Sequence, residues 1–547
     1  MTQTIATMTV DALIENGVET LYCVPGVQND HFFDAIYDRR DKLHPVQARH
    51  EQGAVYMALG AALATGKPQA FSLVPGPGFL NGAAALCTAY ALNAPIFGVI
   101  GQIHSGGVGK RFGMLHEIEN QIDVMKTLTK HAETIAGPQT AAADLKEAWS
   151  AMVSGRPQPA ALEIPVDQWL KPASYDAAAL KAPATPAPEP SPDDIARAAQ
   201  MITEAKRPLV IVGGGAQDHA EPIRKLVTLI GAGASAFRTG HGVVSYDNPL
   251  WLNQPAAHAL WPDCDLVIGL GTRLITQKKQ WGLDDDIKVL QIDLDAEVMS
   301  RVCDPTLGVV ADLGVAVPAL LAALPDQPMR DDWRGKVAET RATVMAELGE
   351  ALAPQFAWLD AIRKAMPDDG IFVDELTQIG YVSRLAFPTY QPRTFLSTGY
   401  QGTLGYGIAT AIGAAHARRD VPVVSVAGDG GALFTITELA SAVHHNIPVN
   451  VIVMNDNAYG NVKGMQRDMY DQRYIASDLT SPNFVALAHS FGVTAHRAES
   501  PAELTRLLSD AIANPGPNLI EVKVGEFPSP WDRIMLPKVR GADGKAG

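Results

Sequence analysis

Short apolar runs that do not alternate with polar residues constrain this chain more than any other feature. Val423–Ala427 reads Val-Val-Ser-Val-Ala, Val449–Met454 reads Val-Asn-Val-Ile-Val-Met, Pro208–Val212 reads Pro-Leu-Val-Ile-Val, and Ile96–Ile100 reads Ile-Phe-Gly-Val-Ile. A strand with one wet face alternates, whereas a run that is apolar on both faces belongs to a parallel sheet covered by helices on each side. Further strands are expected at Glu19–Val24, His44–Ala48, Gln69–Val74, Leu266–Leu270, Val289–Ile292, Ile371–Val373 and Leu519–Val524. Amphipathic or apolar helical segments stand between them, at about Val10–Asn16, from Glu51 onward, at Tyr406–Ala417 and at Thr437–His445. The pattern predicts an α/β protein of doubly wound parallel sheets.

The 547 residues are too many for one core, since domains run to ~100–200 residues. Three domains are expected, at 1–170, 194–328 and 350–547. Between the first two, 171–193 is rich in Pro and Ala (Pro183, Pro186, Pro188, Pro190, Pro192) and predicts an extended linker. A charged helical connector is expected from about Met329 to Leu352, and a frayed tail over 541–547. The first and third units look alike in architecture, without a residue-level repeat.

Charge and cysteine usage narrow the function classes. The net charge is −15 with no basic block, which disfavours nucleic acid and anionic membranes as partners. Cys23, Cys87, Cys264 and Cys303 are scattered and form no CxxC pair, so a reducing compartment is expected. The N-terminus shows no basic region followed by an apolar run. The most apolar stretch, 86–101, contains Asn93 and Pro95 and reads as a helix end and a strand rather than a membrane span. A cytoplasmic location is predicted.

The most informative stretch is Val423–Gly460. One buried run ends in Gly428-Asp429-Gly430-Gly431, a helical segment follows, and a second buried run ends in Asn455-Asp456-Asn457. This is one βαβ crossover. It places Asp429 and Asp456 at the carboxyl edge of one sheet, where ligands of such sheets bind. Two carboxylates flanked by glycines suit Mg²⁺ and a phosphate-bearing ligand, and the metal lets an acidic chain hold an anion. A lone Gly-Asp-Gly would be only a tight turn. The whole run resembles the cofactor signature of the thiamine-diphosphate-dependent enzymes, the 2-oxo acid decarboxylases and carboligases, and most resembles the acetolactate synthase large subunit.

That resemblance implies three domains, pyrimidine-binding, central and diphosphate-binding, with thiamine diphosphate and Mg²⁺ as cofactors. It assigns the metal to Asp429, Asp456 and the Ala458 carbonyl, with Asp456 standing where the family pattern has Asn. Glu51, in Arg49-His50-Glu51-Gln52-Gly53-Ala54, matches the family's catalytic glutamate, which hydrogen-bonds a ring nitrogen of the cofactor's pyrimidine. Gly402 and Leu404, in Gly399-Tyr400-Gln401-Gly402-Thr403-Leu404-Gly405, match the segment that holds the pyrimidine and bends the cofactor. Cofactor contacts are also implied for Pro25, Gly26, Gly76, Thr377, Gln378, Gly428, Gly430, Gly431, Tyr459 and Gly460. Gln102 is a further active-site candidate. The glutamate and the diphosphate site come from different subunits in relatives, so a homodimer or homotetramer with the active site at the subunit interface is implied.

The chemistry implied is decarboxylation of a small 2-oxo acid and C–C bond formation through an enamine. The alternative is decarboxylation of a 2-oxo acid or acyl-CoA without ligation. The synthase pattern is broken at Asn461 and Met465, where it has Met and Trp, and in the loop Arg111–Glu117. His116 in that loop is a candidate acid or base, because histidine titrates nearest neutrality. Arg111, Lys463 and Arg467 are candidates for holding a substrate carboxylate. Gly213–Gly215, Arg273 and Asp293 stand where some relatives bind FAD or ADP, and a purely structural central domain is equally open. The glycine turns Gly269-Leu-Gly271 and Gly107-Val-Gly109-Lys110 are incomplete nucleotide motifs.

Overall fold

A computed structural model describes residues 3–183, 185–325 and 330–541. Three six-stranded sheets follow one another along the chain, every recorded pairing parallel. The first contains β1 (Thr20–Cys23), β2 (His44–Gln47), β3 (Gln69–Leu73), β4 (Ile96–Gln102), β5 (His131–Thr134) and β6 (Ala160–Pro165), in the order β2-β1-β3-β4-β6-β5. The second contains β7 (Pro208–Val212), β8 (Gly233–Ala236), β9 (Trp251–Leu252), β10 (Leu266–Leu270), β11 (Lys288–Asp293) and β12 (Leu307–Val310), in the order β12-β11-β10-β7-β8-β9. The third contains β13 (Ile371–Asp374), β14 (Phe395–Ser397), β15 (Val423–Gly428), β16 (Val449–Asn455), β17 (Thr494–Ala498) and β18 (Asn518–Lys523), in the order β14-β13-β15-β16-β18-β17.

The first and third sheets therefore share one strand order, which gives the expected likeness of those units a topological form. The order reverses direction between β1 and β3 in one sheet and between β13 and β15 in the other. The crevices at these switch points are where doubly wound sheets bind ligands. The middle sheet has the strand order of a dinucleotide-binding fold, with its switch between β7 and β10.

The first and third units are fused through two helices, α1 (Glu51–Thr65) and α2 (Tyr406–Ala417). Both are buried almost all round, as their alanine- and glycine-rich sequences allow. At Gly60 an added Cβ would sit 1.9 Å from the Thr410 carbonyl, and at Gly413 it would sit 1.9 Å from the Met57 carbonyl. Only glycine permits this reciprocal approach of two backbones. One hydrophobic cluster runs across both units, from Tyr22, Phe71 and Leu59 to Ile412, Val423 and Val451.

Three expectations need correction. The first helix begins at Ile5, a turn before the apolar periodicity becomes legible, because Thr4 and Thr7 cap it reciprocally. The segment 171–193 is not a free extended linker. Ala173 and Leu180 are buried in the first unit's core, the Tyr175 hydroxyl donates to Asp11 at 2.6 Å, and a helix already starts at Pro192, capped by Ser191. The prolines exclude regular structure, but the apolar residues between them strap the segment down. The single helix expected at Thr437–His445 is two short pieces, Ile436–Glu438 and Leu439–His444, preceded by a helix that starts at Asp429 itself. The connector helix spans Asp331–Ala351. Its expected first residue, Met329, and tail residues 542–547 lie outside the described residues.

Candidate active site

Beside the third sheet's switch point, β15 ends at Gly428 and the adjacent β16 at Asn455, which brings Asp429 and Asp456 together at one edge. Asp429 is 1% exposed and accepts from the Ser481 hydroxyl at 2.5 Å. Asp456 accepts from Gln378 Nε2 at 2.7 Å and from the Ala458 amide at 3.2 Å. Burial, then the Asp429 carboxylate beside it, pushes Asp456 up to about 6. A buried carboxylate pair braced by neutral donors is of the chemistry that binds a divalent cation. No cluster of three or more metal-ligating side chains occurs among the described residues.

The other residues expected on this side gather around the pair. Thr377 lies against Gly428, the Tyr459 ring against Gly430, and Gly460 so close to Asp456 that a Cβ would stand 2.4 Å from its oxygen. Leu404 reaches Gly431. Gly402 holds φ 58°.

The matching crevice of the first sheet lies between the turn after β1 and the turn after β3. Gly26 abuts Val74 there, and a Cβ at Gly78 would lie 3.5 Å from Glu51 Oε1. Glu51 opens α1 and accepts from Asn81 Nδ2 through Oε2 at 3.0 Å. His116 packs its carbonyl against Gly76. Pro25, Gly26, Gly76, Glu51 and His116 thus line one edge.

Gln102 closes β4 at the same edge. It is buried, its Nε2 donates to Glu163 at 3.0 Å, and its Oε1 accepts from the Ile103 amide. The three candidate cations are also already paired. Lys463 meets Asp478 at 2.5 Å, Arg467 meets Asp468 and Glu526, and Arg111 meets Glu119.

Two acids have roles that the reading of the sequence did not assign. Glu375, fully buried after β13, accepts from the Gly405 and Gly407 amides at 3.1 and 2.8 Å and so holds the turn that carries Leu404. Burial pushes it up to about 7. Glu438 accepts from the Arg49 and His50 amides, at 2.9–3.1 Å, and anchors the start of α1 just before Glu51. Burial raises it as well. The one available signal was a Glu set among residues that otherwise read as core.

The central sheet's switch point opens into a cavity of about 530 Å³ where the three units meet. Gly213–Gly215, Arg273 and Asp293 all line it, with Arg156, Arg238 and Arg393.

Comparison with known proteins accounts for this arrangement. The N-terminal thiamine pyrophosphate-binding domain model matches residues 3–127, the central domain model 195–320, and the C-terminal thiamine pyrophosphate-binding domain model 377–522. The chain belongs to the thiamine pyrophosphate enzymes. Within that family it is 30% identical to a probable 2-ketoarginine decarboxylase of Pseudomonas aeruginosa over 94% of this chain and 93% of the relative. It is 27% identical to the acetolactate synthase isozyme 1 large subunit of Escherichia coli, over 94% and 93%. A probable acetolactate synthase large subunit of Methanocaldococcus jannaschii is 28% identical over 94% and 91%. As a thiamine pyrophosphate enzyme the chain has its cofactor-binding domains at the two sheets of like topology, and its central domain between them.

Proposed function

We propose that this enzyme decarboxylates a small 2-oxo acid and joins the resulting two-electron fragment to a second carbonyl, in the manner of acetolactate synthase. The observation that carries the reading is the Asp429–Asp456 pair at the ends of β15 and β16, with Glu51 opening the helix that follows β2 in the sheet of like strand order. When bound, thiamine diphosphate would supply a nucleophilic thiazolium carbon and an electron sink for decarboxylation.

The chain's own residues supply the rest. Asp429, Asp456 and the Ala458 carbonyl hold Mg²⁺. Gln378 orients Asp456, and Ser481 orients Asp429. Thr377, Gly428, Gly430, Gly431, Tyr459 and Gly460 surround the diphosphate. Gly402 and Leu404 hold the pyrimidine and its bend, with Glu375 fixing their turn. Pro25, Gly26 and Gly76 line the pyrimidine crevice. Glu51 exchanges a hydrogen bond with the pyrimidine ring at Oε1, while Asn81 holds Oε2. His116 handles a substrate proton.

The site spans two copies of the chain in a homodimer or homotetramer. Leu80, Leu433 and Phe434, on the helices that begin at the two crevices, are 46%, 43% and 49% exposed and await a covering surface. The central cavity, at a dinucleotide-type switch point and rich in arginine, takes FAD or ADP. The enzyme works in the cytoplasm. No helix among the described residues is long and apolar enough to cross a membrane.

A second reading, decarboxylation without ligation, is favoured by Asn461 and Met465. Met465 stands 38% exposed where the synthase pattern has Trp, and it leaves an acceptor less enclosed. Proton NMR of products from a panel of 2-oxo acids, with cofactor and Mg²⁺ present, separates the two. A 2-hydroxy ketone supports ligation, aldehyde alone supports the second reading, and no consumption of any 2-oxo acid contradicts both.

A further inference from the structure

Two left-handed residues meet in the first sheet's crevice. Gly76 has φ 58° and His116 φ 68°, and the His116 carbonyl lies 2.2 Å from where a Gly76 Cβ would be. A histidine in that backbone region is uncommon and is held by its surroundings.

What holds its ring is Gln28, 6% exposed, in the turn after β1. Gln28 Nε2 donates to the Leu115 carbonyl at 3.1 Å. A carbonyl oxygen only accepts, so this bond fixes which end of the amide is nitrogen. The other end, Oε1, faces His116 Nδ1 at 3.0 Å. An amide oxygen also only accepts, so Nδ1 carries the hydrogen. The Trp169 indole donates to the Gln28 main-chain carbonyl at 2.8 Å and fixes the residue from behind. His116 Nε2 has no hydrogen-bond partner among the described residues and is not sealed within the protein.

We infer that Gln28 is a positioning residue that locks neutral His116 as the Nδ1–H tautomer and leaves Nε2 to the crevice as a proton acceptor. Neutral His116 then accepts from a hydroxyl and has no hydrogen to offer a substrate carboxylate. A proton taken at Nε2 gives the imidazolium with the Nδ1–H bond to Gln28 intact. Returning that proton restores the same tautomer, so the cycle needs no ring flip. The inference rests on the proposed function only in placing substrate beside His116, because the tautomer belongs to the protein alone.

The test is nitrogen NMR of the full chain labelled with ¹⁵N-histidine, at about pH 8.5, above the ordinary histidine range, with His116→Asn giving the assignment. The expected spectrum has a protonated Nδ1 and a bare Nε2 at His116. Gln28→Leu, which removes the acceptor, moves the hydrogen toward Nε2. In turnover, Gln28→Leu lowers kcat about tenfold or more, part of the ~10²–10⁴ that acid–base catalysis contributes, and leaves KM within about threefold. A hydrogen on Nε2 in the unaltered protein overturns the inference, even if Gln28→Leu fails to fold. An unchanged Gln28→Leu spectrum overturns the role of Gln28. An intact tautomer in a protein that consumes no 2-oxo acid counts against the proposed function and leaves the tautomer lock standing.

Discussion

Single buried acids do much of the positioning here, and each contributes to folding stability in a pH-dependent way. Glu375 has a folded value of about 7, above its ordinary 4.5, because burial disfavours its charge. Between those values the unfolded chain has released this proton while the folded chain retains it. The folded state therefore binds more protons, and stability falls as pH rises through that window. The Glu375 contribution is on the order of 3 kcal/mol, at ~1.4 kcal/mol per unit. Thermal melts at pH 5 and pH 7.5 are expected to show a smaller loss for Glu375→Gln than for the unaltered protein. Equal slopes would remove Glu375 as the source. The same residue shows where sequence reading stops. Asp429 and Asp456 stand in a spaced motif between two legible strands. Glu375, Glu438 and Gln28 act through main-chain amides or one distant side chain, and such partners leave no periodicity or spacing in the sequence.

At the scale of elements, the joint between α1 and α2 sets where Glu51 stands relative to the turn that bears Leu404. Gly60→Ala and Gly413→Ala each force a methyl into a carbonyl across that joint. Each is expected to destabilise the fold by at least the ~1–3 kcal/mol typical of overpacking, seen as a lower midpoint in urea. A midpoint unchanged in both would mean that the helices can separate without cost. Strands such as Val423–Ala427 and Val449–Met454 were legible because a doubly covered strand needs a continuous apolar run. The strap at 171–193 was not, since its anchoring residues Ala173, Tyr175 and Leu180 are too sparse to outweigh the prolines. The break near Thr435 was not legible either, because a helix that starts at Asp429 and must turn within seven residues carries no separate cap signal.

For the whole molecule, two sheets of one topology carry the candidate cofactor residues, and the switch point of the central sheet opens into a cavity that all three units line. If the site is shared between copies, Glu51→Gln and Asp429→Ala chains damage opposite halves. Denatured and refolded together, two inactive variants are expected to regain roughly a quarter of normal activity, the share of intact sites in a random dimer. No recovery from a mixture shown to contain the heterodimer would place the complete site within one chain.

In the proposed function, Glu51 activates a cofactor held by Asp429 and Asp456. Carbon dioxide release from 2-oxo acids, measured with and without thiamine diphosphate and Mg²⁺, tests it most directly, with Glu51→Gln beside the unaltered protein. Release is expected to require both additions and to fall ~10²-fold or more in Glu51→Gln, while that variant still binds the cofactor and keeps its melting temperature. Release that persists without the cofactor, or at full rate in Glu51→Gln, would contradict it.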